Sequence, residues 1–514
     1  MNKLLVFLDE APFVAYGIAF CIALLAIFTP WPLSGLVLFS GFFLSFTYKI
    51  FLSEKTEVKR SLKIYLLSLG VSLLIVSAIF PLFRSGETYF GYDTGFYKHY
   101  LEQPLSSFPR PSALLLPNSA IGSRVFLDIL SLSGLPTNFV LYGSLATIFI
   151  LIGFALFVLS WKEFGTTTAS ITLVLFAVSF TQATAYQFFL WKQFFALALL
   201  LFVYLALYKK SVWVVLPAGL IFISHRTTSI FMLFSVFLTL WFTHPKYRRW
   251  LILTAIPVVI GFLWWQGEAL FILERILILG ASAPDYFAVR EGQFISVDTY
   301  LVLNALLLPL AIAGIFYNKK RFNQPLFWLG LASLVFIVFQ LPFYKRTLIF
   351  FDLSVIFYAG FALGEILPRL KILSARIVYF YFLHLVLIFG VLLLVFRNNT
   401  VSENYLQSIR QLQILDRNIP VMVVSSNDAP WVWGWSGHDV IAPGLFKDKW
   451  NQNEWFDFWT TSNPLRRQEL MNRYPISPYV YVPSPTLLAV PLDTKCFQRL
   501  NDFVYQYACL AKNK

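Results

Sequence analysis

The sequence predicts a polytopic α-helical membrane protein of about thirteen transmembrane helices, closed by a small extracytoplasmic α/β domain. Three observations predict it. Of 514 residues, 58% are hydrophobic and only 13% are charged, against roughly 25% charged in an ordinary soluble domain. Apolar stretches near the ~20 residues that cross a bilayer recur through most of the chain. The basic residues of the connecting loops gather in alternate loops, and so on one side, the pattern that sets topology in membrane proteins.

The stretches run, in order, over 12–30, 33–52, 62–83, 137–160, 168–186, 187–208, 211–224, 228–243, 250–266, 298–317, 325–343, 347–367 and 377–396. The first is too long, and too soon followed by a second, for a cleaved signal peptide. One set of alternate loops carries Lys49, Lys55, Lys59, Arg60 and Lys63, then Lys162, Lys209 and Lys210. The set continues with Lys246, Arg248 and Arg249, with Lys319, Lys320 and Arg321, and with Arg369, Lys371 and Arg376. These loops are read as inner, which makes the amino terminus cytoplasmic and the tail from Arg397 extracytoplasmic. The net charge of +14 then marks orientation and not a nucleic-acid partner. Three parts follow: 1–61 with two spans, 62–396 as a helical core with a large outer loop 84–136, and 397–514 as a soluble α/β domain.

The outer loop is too long for a simple connector. Within it, 94–103 and 120–132 have the pattern of short amphipathic helices, suited to a membrane surface. In the tail, Val421–Ser425, Val440–Ala442 and Tyr479–Val482 are strand-like, and Pro464–Tyr474 is helical, with Pro, Gly, Asn and Ser at the joints. Cys496 and Cys509 fit either a disulfide or two buried thiols.

Ionisable groups near membrane depth are expensive and need a reason. In Gly91-Tyr-Asp-Thr-Gly-Phe-Tyr97, Asp93 sits between two glycines in a Tyr-rich turn. A general base fits there, and so does a turn residue that binds its own backbone. Ser224-His225-Arg226-Thr227-Thr228 joins two short spans on the outer side. His and Arg together suit a phosphate or diphosphate, and Arg alone also suits an interfacial anchor. Tyr344-Lys345-Arg346 and Trp191-Lys192-Gln193 place further cations outside, against the positive-inside trend, with lipid-phosphate contact or snorkelling as the plainer readings. Asp352 lies within a span and calls for a partner, read as an ion pair with a neighbouring span; His384 reads as a hydrogen-bonded bundle histidine. Walker-type, His-Glu-x-x-His and Gly-x-Ser-x-Gly patterns are missing from the sequence, and no Cys sits beside a His, which argues against ATP drive, zinc proteolysis and Ser or Cys hydrolases.

The combination resembles the membrane glycosyltransferases of the C superfamily (GT-C). Gly91-Tyr-Asp-Thr-Gly-Phe-Tyr-Lys-His-Tyr100 is similar to that family's first-loop acidic motif. Trp191-Lys-Gln, Lys209-Lys210 and Ser-His-Arg-Thr-Thr228 are similar to the central stretch of its prokaryotic members. Ala429-Pro-Trp-Val-Trp-Gly-Trp-Ser-Gly-His-Asp-Val-Ile-Ala-Pro-Gly444 resembles their outer domain. The likeness covers most of 62–514, and the first two spans look like an addition.

The resemblance implies a multi-pass plasma-membrane enzyme that moves a sugar from a polyprenyl-phosphate donor to a glycan, lipid or protein acceptor, commonly with inversion. It implies Asp93 as general base and Lys192, His225, Arg226, Lys345 and Arg346 as groups that hold the donor phosphate. Tyr92, Tyr97 and Trp431 would stack on sugar faces, though interfacial belt positions fit them as well. Only Glu87 and Glu102 accompany Asp93, so a divalent metal is possible but open, and no other cofactor is implied. Three rivals remain: a polysaccharide polymerase or O-antigen-ligase-like enzyme, which shares Gly-x-Asp-x-x-x-Tyr; a lipid-linked-sugar transporter or flippase; and a non-catalytic receptor or scaffold.

Overall fold

The structure, a computed structural model, describes residues 55–83, 89–91, 93–106, 108, 110, 121–243, 248–264, 295–341, 344–369, 400–423, 428–442, 449–483, 491–492 and 495–509. The stretches expected at 12–30, 33–52 and 377–396, with Tyr92, Glu87 and His384, lie outside the described residues. The chain divides into two compact units. Unit 1 takes Met1–Arg84 and Leu145–Asn398, and unit 2 takes Ser85–Ser144 and Asn399–Lys514. The long loop after the third stretch therefore groups with the tail and not with the helical core.

Unit 1 is helical. Among its described helices, Trp191–Tyr208 and Tyr344–Glu365 are long and apolar enough to cross a membrane, as is Thr137–Phe164, which begins in unit 2. Two bent pairs raise the total from three to five: Thr166–Ala177 with Phe180–Gln187, at 46°, and Val297–Leu303 with Leu307–Tyr317, at 78°. Leu66–Ile79, Val212–Ser224, Thr227–Phe242 and Pro325–Val338 are apolar but shorter. Against the expected thirteen or so, the described residues hold three to five helices long and apolar enough to cross a membrane, with several shorter apolar helices beside them. Hydropathy sums over side chains and is blind to a break in the backbone ladder. At the first break Ser179 caps the second helix, its hydroxyl accepting from the Gln182 N–H at 3.1 Å, a polar group that ends one helix and starts another.

The helix Tyr344–Arg369 is the axis of unit 1, with 94% of its apolar window buried. Its neighbours approach it through small residues. Gly360 and Gly364 lie against Thr172 and Thr168 of the Thr166–Ala177 helix, and Gly330 of Pro325–Val338 lies against Ser354. Lipid tails are as apolar as Leu, so hydrophobicity alone cannot drive these helices together; close packing through small side chains does.

Unit 2 is mixed. A short antiparallel pair, β1 (Tyr89–Phe90) with β2 (Thr400–Val401), ties the loop to the start of the tail. The tail folds around β3 (Val421–Val423), β4 (Val440–Ile441), β5 (Tyr479–Tyr481), β6 (Phe497–Arg499) and β7 (Val504–Tyr507), ordered β4-β3-β5-β7-β6. The β3 strand pairs parallel to β4 and β5, and β7 pairs antiparallel to β5 and β6. The three expected strands and the helix at Pro464–Met471 are present. The sequence reading missed β6, β7 and the helices Ala429–Ser436 and Gln452–Thr460. Cys496 and Cys509 form a disulfide at the β6–β7 hairpin.

Two helices of unit 2 touch at backbone distance. Gly95, in Thr94–Glu102, lies against Pro430 and Gly434 of Ala429–Ser436; a Cβ added at Gly434 would meet the Gly95 Cα at 2.5 Å. Any side chain at either glycine would push the helices apart.

Candidate functional site

In unit 1, three helices begin with cations. Lys192 is the second residue of Trp191–Tyr208, Arg226 opens Arg226–Thr243, and Lys345 and Arg346 follow the first residue of Tyr344–Arg369. None of the three has an acidic residue in its first turn. A helix start carries about half a positive charge from its unpaired N–H groups, so acidic side chains stabilise it and basic ones do not. Cations at three such starts favour an anion.

The starts also meet. Gln193 Nε2 donates to the Arg346 carbonyl at 3.1 Å, which joins the first turns of two of the helices. His225, between Val215–Ser224 and Arg226–Thr243, has Lys192 and Arg346 as the cations acting on its ring. Its Nδ1 accepts from the Thr228 N–H at 3.3 Å and lies 2.7 Å from the Thr228 hydroxyl. Nδ1 occupied as an acceptor leaves the proton of a neutral ring on Nε2, the nitrogen free to donate outward. The Lys345 ammonium sits 5.5 Å from the Tyr344 ring centre. The Arg226 side chain is outside the described residues. The turn before Trp191 is strained: Phe189, fully buried, holds a φ of 65°, a left-handed conformation that L side chains avoid.

Asp352 is fully buried in the same unit. The expected ion pair is not what holds it. Its Oδ2 accepts from Ser179 Oγ at 2.7 Å and from Gln182 Nε2 at 2.9 Å, and the Tyr300 hydroxyl faces it. Its described partners are neutral, and they belong to the two bent helix pairs. Sequence reasoning missed Ser179, Gln182 and Tyr300. The signal was there: Ser179, Thr181, Gln182, Thr184 and Gln187 crowd a short stretch that hydropathy alone reads as one span.

In unit 2, Asp93 is the N-cap of Thr94–Glu102, where its side chain makes no capping hydrogen bond. Its backbone carbonyl accepts from Phe96 N at 3.1 Å and Tyr97 N at 3.4 Å. The helix start is thus served by the Asp93 backbone and not by a side-chain cap. The loop is held from both sides. Thr94 Oγ1 donates to the Phe90 carbonyl at 2.6 Å. On the next turn Lys98 donates to the Gly434 carbonyl at 3.0 Å and lies 5.0 Å from the Trp435 ring centre, while His99 stacks on Trp433 at 4.2 Å. The first-loop motif and the Trp-rich tail motif thus pack directly on each other.

The three aromatic candidates fare differently. Tyr92 is outside the described residues. Tyr97 is 3% exposed and Trp431 4% exposed, and Trp431 stacks on Trp435 at 4.6 Å. Both rings are core, so neither offers a face to a sugar. Glu102 is engaged by Lys98 at 2.5 Å. Among the described residues no three His, Cys, Asp or Glu side chains gather as a metal site.

No family model matches the sequence, and no curated protein matches it. Solved structures do match by fold. An oligosaccharyltransferase of Archaeoglobus fulgidus superposes with a TM-score of 0.55 at 14% identity, over 81% of this chain and 67% of that one. The arabinofuranosyltransferase AftD from Mycobacteria gives 0.51 at 15% identity, over 81% of this chain and 36% of that one. ArnT from Cupriavidus metallidurans gives 0.50 at 13% identity, over 82% and 93%. The chain has the fold of GT-C membrane glycosyltransferases.

Proposed function

We propose that this chain, with its GT-C fold, is a glycosyltransferase that moves a sugar from a polyprenyl-phosphate-linked donor to a glycan, lipid or protein acceptor on the outer face of a membrane. The observation that carries the reading is the set of three cation-bearing helix starts around His225. A leaving phosphate gains negative charge as its bond to the sugar breaks. Lys192, Arg226, Lys345 and Arg346, the helix N–H groups and the His225 Nε2–H would receive that charge. Asp93, whose side chain is not spent on its helix cap, would take the acceptor hydroxyl proton as the acceptor oxygen attacks the anomeric carbon. A displacement of this kind inverts the anomeric centre. The acid belongs to unit 2 and the cations to unit 1, so each half of the assignment needs its own variant.

The test is turnover in reconstituted vesicles carrying polyprenyl-phosphate sugars. The wild type should consume donor, and Asp93→Asn should lower kcat at least a hundredfold with donor affinity kept. Arg346→Ala should weaken donor binding about tenfold or more. Failure to turn over any lipid-linked monosaccharide would sink the proposal. A polymerase would consume only lipid-linked oligosaccharides, and a flippase would move donor across the vesicle without consuming it.

A further inference from the structure

Unit 1 holds a second feature, apart from the cation cluster. A cavity of about 270 Å³ opens between the helices Thr137–Phe164, Trp191–Tyr208, Arg226–Thr243 and Tyr344–Arg369 and the segment Asn323–Leu326. Its deep walls are apolar and buried: Leu159, Leu240, Leu326 and Phe357. Its open end carries two opposite charges, the half-buried Glu163 and the exposed Lys210. The space is far larger than the ~30 Å³ share of one water, and an apolar interior with a charged mouth suits an amphiphile.

The mouth is built to present an acceptor. Gln324 Oε1 takes hydrogen bonds from Asn318 Nδ2 at 2.7 Å and Tyr358 OH at 2.8 Å. That fixes the amide so that Nε2 donates to Glu163 Oε2 at 3.2 Å. A carboxylate can accept about four hydrogen bonds, so Glu163 is held in place with capacity left. The surroundings give the level of the mouth in a bilayer. Trp161, Tyr208, Trp213, Trp241 and Tyr317 are 47–74% exposed, and they flank Lys162, Lys209, Lys210 and Lys319. Exposed Trp and Tyr interleaved with Lys mark the headgroup layer.

We propose that this cavity binds a glycerophospholipid with an ethanolamine-type headgroup. An acyl chain runs along Leu159, Leu240 and Phe357, the phosphate meets Lys210, and the primary ammonium donates to Glu163. A purely anionic headgroup is repelled by Glu163. A choline headgroup has no N–H to give the carboxylate. The site lies apart from the residues assigned to sugar transfer, so the proposal stands or falls independently of that function.

The experiment uses the full-length protein in detergent with phosphatidylethanolamine, phosphatidylcholine and phosphatidylglycerol of matched acyl length. Retained lipid is read by native mass spectrometry, and the thermal unfolding midpoint is followed in parallel. Phosphatidylethanolamine should bind about tenfold more tightly than either of the others. Glu163→Gln should erase that preference while leaving some lipid bound. Leu240→Trp, which fills the cavity, should abolish retention of all three. Equal retention of the three lipids, a preference for phosphatidylglycerol, or a preference that survives Glu163→Gln would overturn the proposal. If Leu240→Trp fails to fold, the Glu163→Gln arm decides alone.

Discussion

Asp128 in unit 2 and Asp352 in unit 1 are both fully buried, and the two units meet the cost of a buried carboxylate in different ways. Asp128 is given a charge. Arg110 reaches Oδ1 with its guanidinium and Oδ2 with its backbone N–H at 3.0 Å, and the Tyr100 hydroxyl adds a bond to Oδ2 at 2.9 Å. Asp352 is given dipoles, from Ser179 and Gln182. The difference lies in what each partner must give up to be buried. Arg110 is itself buried beside Asp128, and the attraction between the two charges offsets the cost of stripping both of water. Inside a helix bundle with lipid around it, a partner cation would itself have to be stripped of water, and neutral donors from broken helices avoid that second cost.

The largest effect should come from breaking the charged pair. Asp128→Ala leaves Arg110 buried without its counter-charge and should cost about 3–5 kcal/mol, read as a lower unfolding midpoint. Asp352→Asn keeps the shape and an amide oxygen that still accepts from Ser179 and Gln182, so it should cost under about 1.5 kcal/mol. Equal losses in the two variants would erase the distinction.

A second prediction concerns how unit 2 holds its loop. Gly95→Ala puts a methyl group into the Pro430 carbonyl, and overpacking of this kind costs about 1–3 kcal/mol. The loss should be larger than for Gly143→Ala, where a Cβ would meet only the Phe139 ring at 3.6 Å. Hydrogen exchange of residues 94–102 gives a local readout. A Gly95→Ala protein with unchanged exchange there would show that the crossing does not anchor the Asp93 turn.

The sequence and the structure agree most closely where chemistry is local. The span starts read at 137, 187, 228 and 347 fall within four residues of the helix starts at Thr137, Trp191, Arg226 and Tyr344 because the apolar runs there are long and end near polar residues. The cations Lys192, Lys345 and Arg346 stood out because they oppose the positive-inside trend. The strands at Val421, Val440 and Tyr479 were legible as β-branched and aromatic runs between turn residues. What was not legible depends on partners distant in sequence. Trp431 reads as a sugar platform until Trp435 and the tail core cover it. Asp352 reads as half of an ion pair until Ser179, some 170 residues earlier, supplies a neutral donor. The grouping of the loop with the tail draws on the β1–β2 pair and on Gly95 against Gly434, contacts between short motifs far apart in sequence. Helix breaks at Ser179 and Asn304 are invisible to a hydropathy sum, which counts side chains and not backbone bonds.

The smallest predicted effect sharpens the same contrast through pH. His99 is packed on Trp433 in unit 2. Burial lowers its pKa below the ordinary 6.5, and Lys98 adds to this, while Asp439 and Glu102 pull the other way. The unfolded chain therefore holds a proton, at pH just below 6.5, that the folded chain gives up. Stability from this source is fully present above pH 6.5 and is lost as pH falls through that value toward the folded pKa. Thermal unfolding followed by the tail tryptophans should show a midpoint that drops between pH 7 and pH 5. His99→Phe keeps a ring against Trp433 and removes the proton, so its midpoint should fall less over the same range. Parallel pH profiles for the wild type and His99→Phe would mean that the His99–Trp433 stack does not resist protonation, and that the pH response of unit 2 belongs to its carboxylates.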